Sequence, residues 1–102
     1  MSADIVQIQS GDNTLVCAFI GPMNAERCNQ VQKQIEESIE SSGLPVVFDM
    51  KEVEFAASSF LRIVLTVNKK VGRERFQVVN VDPKVKKVFK MSGIWDALKL
   101  EG

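Results

Sequence analysis

The chain has 102 residues, of which 45% are hydrophobic, and its formal net charge is zero. This length and composition predict one globular domain, residues 1–102, with a single core, and zero net charge supplies no overall field toward nucleic acid or anionic lipid. No apolar run approaches the roughly 20 residues of a membrane span, and the first residues lack the basic and apolar regions of a signal peptide. We therefore expect a cytoplasmic protein.

The N-terminal part of the chain predicts a β-hairpin. Apolar residues at 5–8 mark a first short strand, and a turn-rich cluster follows at 10–13. The nearly continuous apolar run 14–20 predicts a second strand that is buried on both faces. Gly21 and Pro22 end this strand, because proline cannot donate a hydrogen bond to a sheet.

From Asn24 onward the hydrophobic period changes to three and four residues, which predicts an amphipathic helix. Asn24 can cap its N-terminus, and Gly43 is a natural stop. The residues on the predicted buried face are Ala25, Cys28, Val31, Ile35, Ser38 and Ile39.

The rest of the chain alternates strands with helices. Strands are predicted at 45–50 and 76–80, and a helix from about Ser58 to Val71 lies between them. A third helix follows Asp82, which caps it, and Pro83, which takes its first position. Residues 94–98, including Trp95, predict one more short helix. This alternation indicates an α/β fold with parallel strands and right-handed crossovers.

The residue types favour binding over catalysis. The chain has no histidine, which removes the commonest general base and the usual metal ligand. Cys17 and Cys28 are not spaced as a metal pair, and no glycine-rich phosphate loop is present. Both cysteines lie among apolar residues, so buried free thiols are favoured over a disulfide and suit a reducing compartment. We expect no catalytic residue, no metal and no cofactor.

Ser58 and Ser59 stand at the predicted start of the second helix, where backbone N–H groups lack partners. One interpretation is a plain N-cap, with a hydroxyl accepting a hydrogen bond from a later amide. The other is that one hydroxyl accepts a phosphoryl group from a kinase. The helix end would stabilise that phosphate, and its charge would act on any partner that covers this surface.

The segment 46–61 resembles the signature of the STAS domain family, the anti-sigma-factor antagonists. In that signature an apolar strand ends in Asp, and a short connection leads to Asp-Ser-Ser/Thr-Gly-Leu-Gly at the start of a helix. Residues 80–94 resemble the closing segment of the family, and Gly21 after the second strand also matches. The resemblance spans nearly the whole chain.

The resemblance implies a single STAS-like α/β domain, with a mixed, mostly parallel sheet of four to five strands and helices packed mainly on one face. It implies partner switching: such domains bind a serine kinase that is also an anti-sigma factor. This binding releases the sigma factor from the kinase, and the sigma factor can then act in transcription. Phosphorylation of the first signature serine, here Ser58, breaks the complex, and a phosphatase restores it. The residues expected to contact the partner are Asn24, Ser58, Ser59, Phe60 and Arg62.

The chain departs from the family signature at three positions of this segment. Ala57 replaces the Asp before the serines, and Phe60 and Arg62 replace two glycines. Phe60 is either core-facing or exposed for docking, and we favour docking. The loop after Gly21 also lacks the acidic residues that the family often has there.

These departures favour an alternative function, a STAS subunit that docks constitutively in a signalling or transport assembly. An enzyme or small-ligand carrier is a third hypothesis. We expect a monomer and leave a dimer open.

Basic residues cluster near the ends of the second and third helices. We interpret them as solvated helix faces, with a polar rim for an acidic protein partner as the alternative. They are Lys69, Lys70, Arg73, Arg75, Lys84, Lys86, Lys87 and Lys90.

Overall fold

The computed structural model describes residues 5–11 and 13–94. Its regular elements are β1 (Val6–Ser10), β2 (Leu15–Ile20), α1 (Ala25–Ser42), β3 (Val46–Glu52), α2 (Ser58–Val71), β4 (Phe76–Val79) and α3 (Pro83–Met91). A 3₁₀ turn that the sequence did not predict, Arg73–Arg75, joins α2 to β4. Ile94 is the only residue of the predicted helix at 94–98 that the structure describes. Trp95 and the other residues of that helix lie outside the described residues.

The four strands form one mixed sheet in the order β1-β2-β3-β4. β1 pairs antiparallel with β2, which confirms the predicted hairpin. β3 runs parallel to both β2 and β4, and the register aligns Cys17 with Phe48 and Phe48 with Val78. The predicted α/β domain with a mostly parallel sheet is therefore confirmed.

The helices cover one face of the sheet. The parallel strands β2, β3 and β4 follow one another across the sheet in chain order. Right-handed crossovers between them therefore place α1 and α2 on the same side of the sheet. In β2, Leu15, Cys17 and Phe19 are buried on that side, whereas Val16 and Ala18 on the other face are only half-buried. The prediction that β2 is buried on both faces is wrong, because it took a continuous apolar run to mean two covering layers.

Local signals set the helix ends as predicted. Asn24 is the N-cap of α1, and its Oδ1 accepts a hydrogen bond from Arg27 N at 3.0 Å. Gly43 ends α1 in the left-handed conformation at φ 64°. Asp82 caps α3, and Pro83 is its first residue. Among the described residues, no helix combines the length and the apolar character needed to cross a membrane.

Aromatic rings fill the centre of the core between the sheet and α2. Phe48 on β3 contacts Phe19 on β2 and Phe76 on β4 edge to face, with ring centroids 4.8 and 5.0 Å apart. Phe60 on α2 approaches Phe19 with centroids 5.1 Å apart. Such pairs contribute about 0.5–1.5 kcal/mol each beyond the area they bury, so this cluster fixes α2 on the sheet.

Both cysteines are free thiols inside the core, as predicted. Burial raises the pKa of Cys17 to about 12. Burial also raises the pKa of Cys28, although the neighbouring Arg27 charge works in the opposite direction. The thiolate is the nucleophilic form of cysteine, so the fold keeps both groups unreactive near neutral pH.

We expect the free energy of unfolding to fall as the pH rises above 9.0, the ordinary pKa of a thiol. The folded state keeps the Cys17 proton that the unfolded chain releases, so alkaline pH favours unfolding until the pH passes about 12. The loss is at most about 1.4 kcal/mol per pH unit for one thiol. Urea unfolding of wild type and Cys17→Ala between about pH 8 and about pH 10.5 measures it. The variant should lose less stability over this range, and an equal loss would contradict a buried, protonated Cys17.

Candidate functional site

The loops that follow β2 and β3 run side by side and hold the starts of α1 and α2 next to each other. Met23 N donates to Phe55 O, and Ala57 N donates to Met23 O, each at 2.9 Å. These bonds extend the parallel pairing of β2 and β3 beyond the ends of both strands. Asn24 and Ser58, which follow Met23 and Ala57 in the sequence, therefore lie at the same edge of the sheet.

Asn24 is exposed at this edge, and its side chain is already engaged in capping α1. Its amide oxygen is committed to Arg27 N, while its amide NH₂ makes no hydrogen bond within the described residues. The side chain therefore offers both donors of its amide NH₂ to a partner. Partner binding by Asn24 remains a prediction.

Ser58 is the first residue of α2, and its side chain is exposed; Ser59 is the second residue and is half-buried. The N-cap position belongs to Ala57, which has extended backbone angles and no side-chain acceptor. Neither serine hydroxyl forms a hydrogen bond with any part of the chain that the structure describes. The plain N-cap interpretation is therefore wrong, and the Ser58 hydroxyl stands unengaged at the surface.

The structure separates Phe60 from the other predicted contact residues. Its side chain is 0% exposed and packs against Phe19 and Phe48. The prediction that Phe60 is exposed for docking is wrong, because its position in the first turn of α2 faces the sheet. Arg62, by contrast, is exposed on the outer face of α2 together with Ser58.

Arg27 holds the loop between β2 and α1, a role that the sequence did not reveal. Its Nη2 donates a hydrogen bond to the carbonyl oxygen of Ile20, the last residue of β2. Gly21 has a positive φ of 85°, and a Cβ at this position would lie 3.0 Å from Nη2 of Arg27. The positive φ favours glycine here, and a larger residue would also displace the guanidinium of Arg27 by a few tenths of an ångström.

The sequence and its fold agree with one known family. The family model described as STAS domain matches residues 6–101. The chain belongs to the STAS domain family. The expectation drawn from segments 46–61 and 80–94 is thus confirmed.

Known proteins that resemble this STAS domain include BtrV, a mycobacterial protein and SpoIIAA. BtrV of Bordetella bronchiseptica, a candidate anti-sigma factor antagonist, is 26% identical over 84 residues, which cover 80% of this chain and 72% of BtrV. An anti-sigma factor antagonist from Mycobacterium paratuberculosis has a TM-score of 0.82 at 24% identity, over 93% of this chain and 82% of that chain.

The third is the anti-sigma factor antagonist SpoIIAA of Bacillus. Its unphosphorylated form has a TM-score of 0.78 at 21% identity, over 95% of this chain and 88% of that chain. Its phosphorylated form has a TM-score of 0.70 at 20% identity, over 95% of this chain and 91% of that chain. At these identities the solved structures establish the fold.

A second residue that the sequence did not reveal is Phe55, on the loop before α2. Its side chain is 53% exposed although it is large and apolar. It borders a shallow hollow of about 110 Å³ with Gly21, Pro22, Glu52 and Glu54. Small-ligand sites usually measure about 300–1,000 Å³, so this hollow is too small to enclose a typical small ligand.

The described residues of the STAS domain hold no cluster of three or more potential metal ligands. Two carboxylates follow the buried part of β3 and are exposed: Glu52 is the last residue of the strand, and Glu54 lies on the loop after it. What this edge offers is a hydroxyl, an aromatic ring, amide donors and a guanidinium, all of which are groups suited to contact with a protein.

Proposed function

We propose that this protein is an anti-sigma-factor antagonist that binds an anti-sigma factor with serine kinase activity and is released when Ser58 is phosphorylated. Membership of the STAS family supports the general role, and the solved relatives include SpoIIAA in both unphosphorylated and phosphorylated forms. In this proposal a phosphatase restores binding, and the protein has no catalytic activity of its own. It acts in the cytoplasm, where its two buried thiols stay reduced.

The observation that carries the proposal is the state of the Ser58 hydroxyl. It is exposed at the first residue of α2, and no other described group of the chain engages it. A kinase can therefore reach the hydroxyl without unfolding the helix. The phosphate would also lie near amides that Ala57 leaves uncapped, which favours a negative charge there.

Phosphorylation would act on the complex through charge. A phosphoserine carries about −1.5 to −2 charges near pH 7. A partner that covers Ser58 would have to desolvate this charge, which costs several kcal/mol unless the partner supplies a cation. The same hydroxyl is small and neutral before modification, so the unmodified surface can be covered at little cost.

The loop 22–24 gives a specific reason to keep a second candidate, constitutive docking. This loop lacks the acidic residues that STAS domains often have there, so a contact expected with the kinase is missing. In this second function the same edge binds a partner stably, and Ser58 is never modified.

Phosphate mapping by mass spectrometry distinguishes the two functions. The partner kinase, captured from the source cell with the unmodified protein as bait, is incubated with ATP and with wild type, Ser58→Ala or Ser59→Ala. Phosphate on residue 58 in wild type and Ser59→Ala, with none in Ser58→Ala, is the expected result. A stable complex in which Ser58 stays unmodified would exclude switching and favour constitutive docking.

A further inference from the structure

Arg62 lies one helical turn after Ser58 on the same outer face of α2. Both side chains are exposed, and α2 is continuous from Ser58 to Val71. Residues four apart on a helix have Cβ atoms about 5–6 Å apart, so groups attached to these two positions can meet without any change in the backbone.

Arg62 has no counter-ion among residues 5–11 and 13–94 of the unmodified protein. Its guanidinium forms no ion pair or hydrogen bond with the described residues, and α2 contains no acidic residue. Other cations near this edge are engaged: Lys84 lies 3.4 Å from Glu54, and Arg27 bonds to the Ile20 carbonyl. Among the described residues of α2, Arg62 is thus the unengaged cation within one helical turn of Ser58.

We propose that Arg62 captures the phosphoryl group of phosphorylated Ser58 in an ion pair within the same molecule. This inference rests on the proposed modification of Ser58. A guanidinium presents parallel N–H donors that match two phosphate oxygens. The order, with the anion four residues before the cation, is also the favourable one on a helix.

The ion pair changes the surface twice. In the unmodified protein Arg62 projects freely and is available to a partner carboxylate. After phosphorylation the same guanidinium turns back to Ser58. The partner then faces the phosphate of Ser58 and can no longer pair with Arg62. Arg62 therefore determines how strongly the partner distinguishes the two forms, and a glycine at this position cannot do so.

Phosphorus-31 NMR tests the ion pair directly. Phosphoserine is installed at position 58 of the full chain during translation, and the second ionisation of its phosphate is titrated. In Arg62→Gln we expect the pKa of the phosphate to rise by about 0.15–0.4 unit relative to wild type, because the cation that favours the dianion is gone.

Lys69→Gln is the matched control. It removes the same charge from an exposed position of the same helix, about 16 Å along the axis from Ser58, and it should leave the pKa of the phosphate unchanged. The α2 amides and the charged groups at this edge, Glu26, Arg27, Glu52, Glu54 and Lys84, are common to all variants, so their effects cancel.

Equal phosphate pKa values in wild type and Arg62→Gln, with unchanged circular dichroism, would overturn the inference, as would an equal shift in Lys69→Gln. Because the phosphoserine is installed without a kinase, the result does not depend on whether a kinase modifies Ser58. A kinase that fails to modify Ser58 would contradict the proposed function, whereas an unshifted phosphate would contradict only the ion pair.

Discussion

Replacing Phe60 by alanine is expected to lower the free energy of unfolding by about 3–5 kcal/mol. The Phe60 side chain is 0% exposed, and its ring packs against Phe19 and Phe48 where α2 meets the sheet. Truncation leaves a cavity that these neighbours cannot refill, because they lie on two hydrogen-bonded strands. Urea unfolding followed by circular dichroism measures the loss.

Phe55→Ala is the matched control for this loss of stability. It makes the same substitution five residues earlier, at a side chain that is 53% exposed. We expect a change within about 0.5 kcal/mol. If Phe60→Ala were as stable as Phe55→Ala, Phe60 would not belong to the core, and the prediction that it docks a partner would regain support.

The same Phe55→Ala variant is expected to weaken partner binding about 30-fold, which corresponds to about 2 kcal/mol. Exposed aromatic side chains at the centre of an interface are typical binding hot spots. Phe55 adjoins the loop 21–24 and precedes Ser58 by three residues, so a partner that covers Ser58 would also cover this ring. Titration calorimetry with the captured anti-sigma factor gives the dissociation constants.

Met91→Ala is the control for this loss of affinity. Met91 is the other large apolar side chain exposed among the described residues, at 79%, and it lies at the far end of α3. The Met91→Ala variant should bind the partner with the same dissociation constant as wild type. Equal affinity of Phe55→Ala and wild type, or an equal loss in Met91→Ala, would show that the docking face lies elsewhere.

The features that the sequence predicted well are those that neighbouring residues determine. Asn24 and Gly43 bound α1 because a polar cap and a left-handed glycine act within one turn. Asp82 and Pro83 fix the start of α3 for the same reason. The parallel order of the strands followed from the alternation of elements, since right-handed crossovers leave few arrangements.

Phe60 shows where family resemblance misled the prediction. The family signature has glycine at this position, so the resemblance contains no indication of which way a side chain points. The helical period contained the correct signal: Phe60, Ile63, Val64 and Val67 recur at three- and four-residue steps and form the buried stripe of α2. Periodicity was the better guide, because it follows from the geometry of the helix itself.

Other features depend on contacts between distant parts of the chain. The half-buried face of β2 results from both crossovers lying on one side. Phe55 is exposed on a loop whose backbone pairs with Met23, a residue more than 30 positions away in the sequence. Arg27 lies in the first turn of α1, where a cation interacts unfavourably with the helix dipole. The contacts of Arg27 with Ile20 and Gly21 are visible only in the folded structure. No short-range pattern contains this information.

The affinity of the captured anti-sigma factor for the protein with serine or phosphoserine at position 58 is the most direct test. Calorimetry should give a dissociation constant at least about 30-fold weaker for the phosphorylated form, because removing the charged phosphate from water at an interface costs about 2 kcal/mol or more. Equal dissociation constants for the two forms would mean that Ser58 is not the switch.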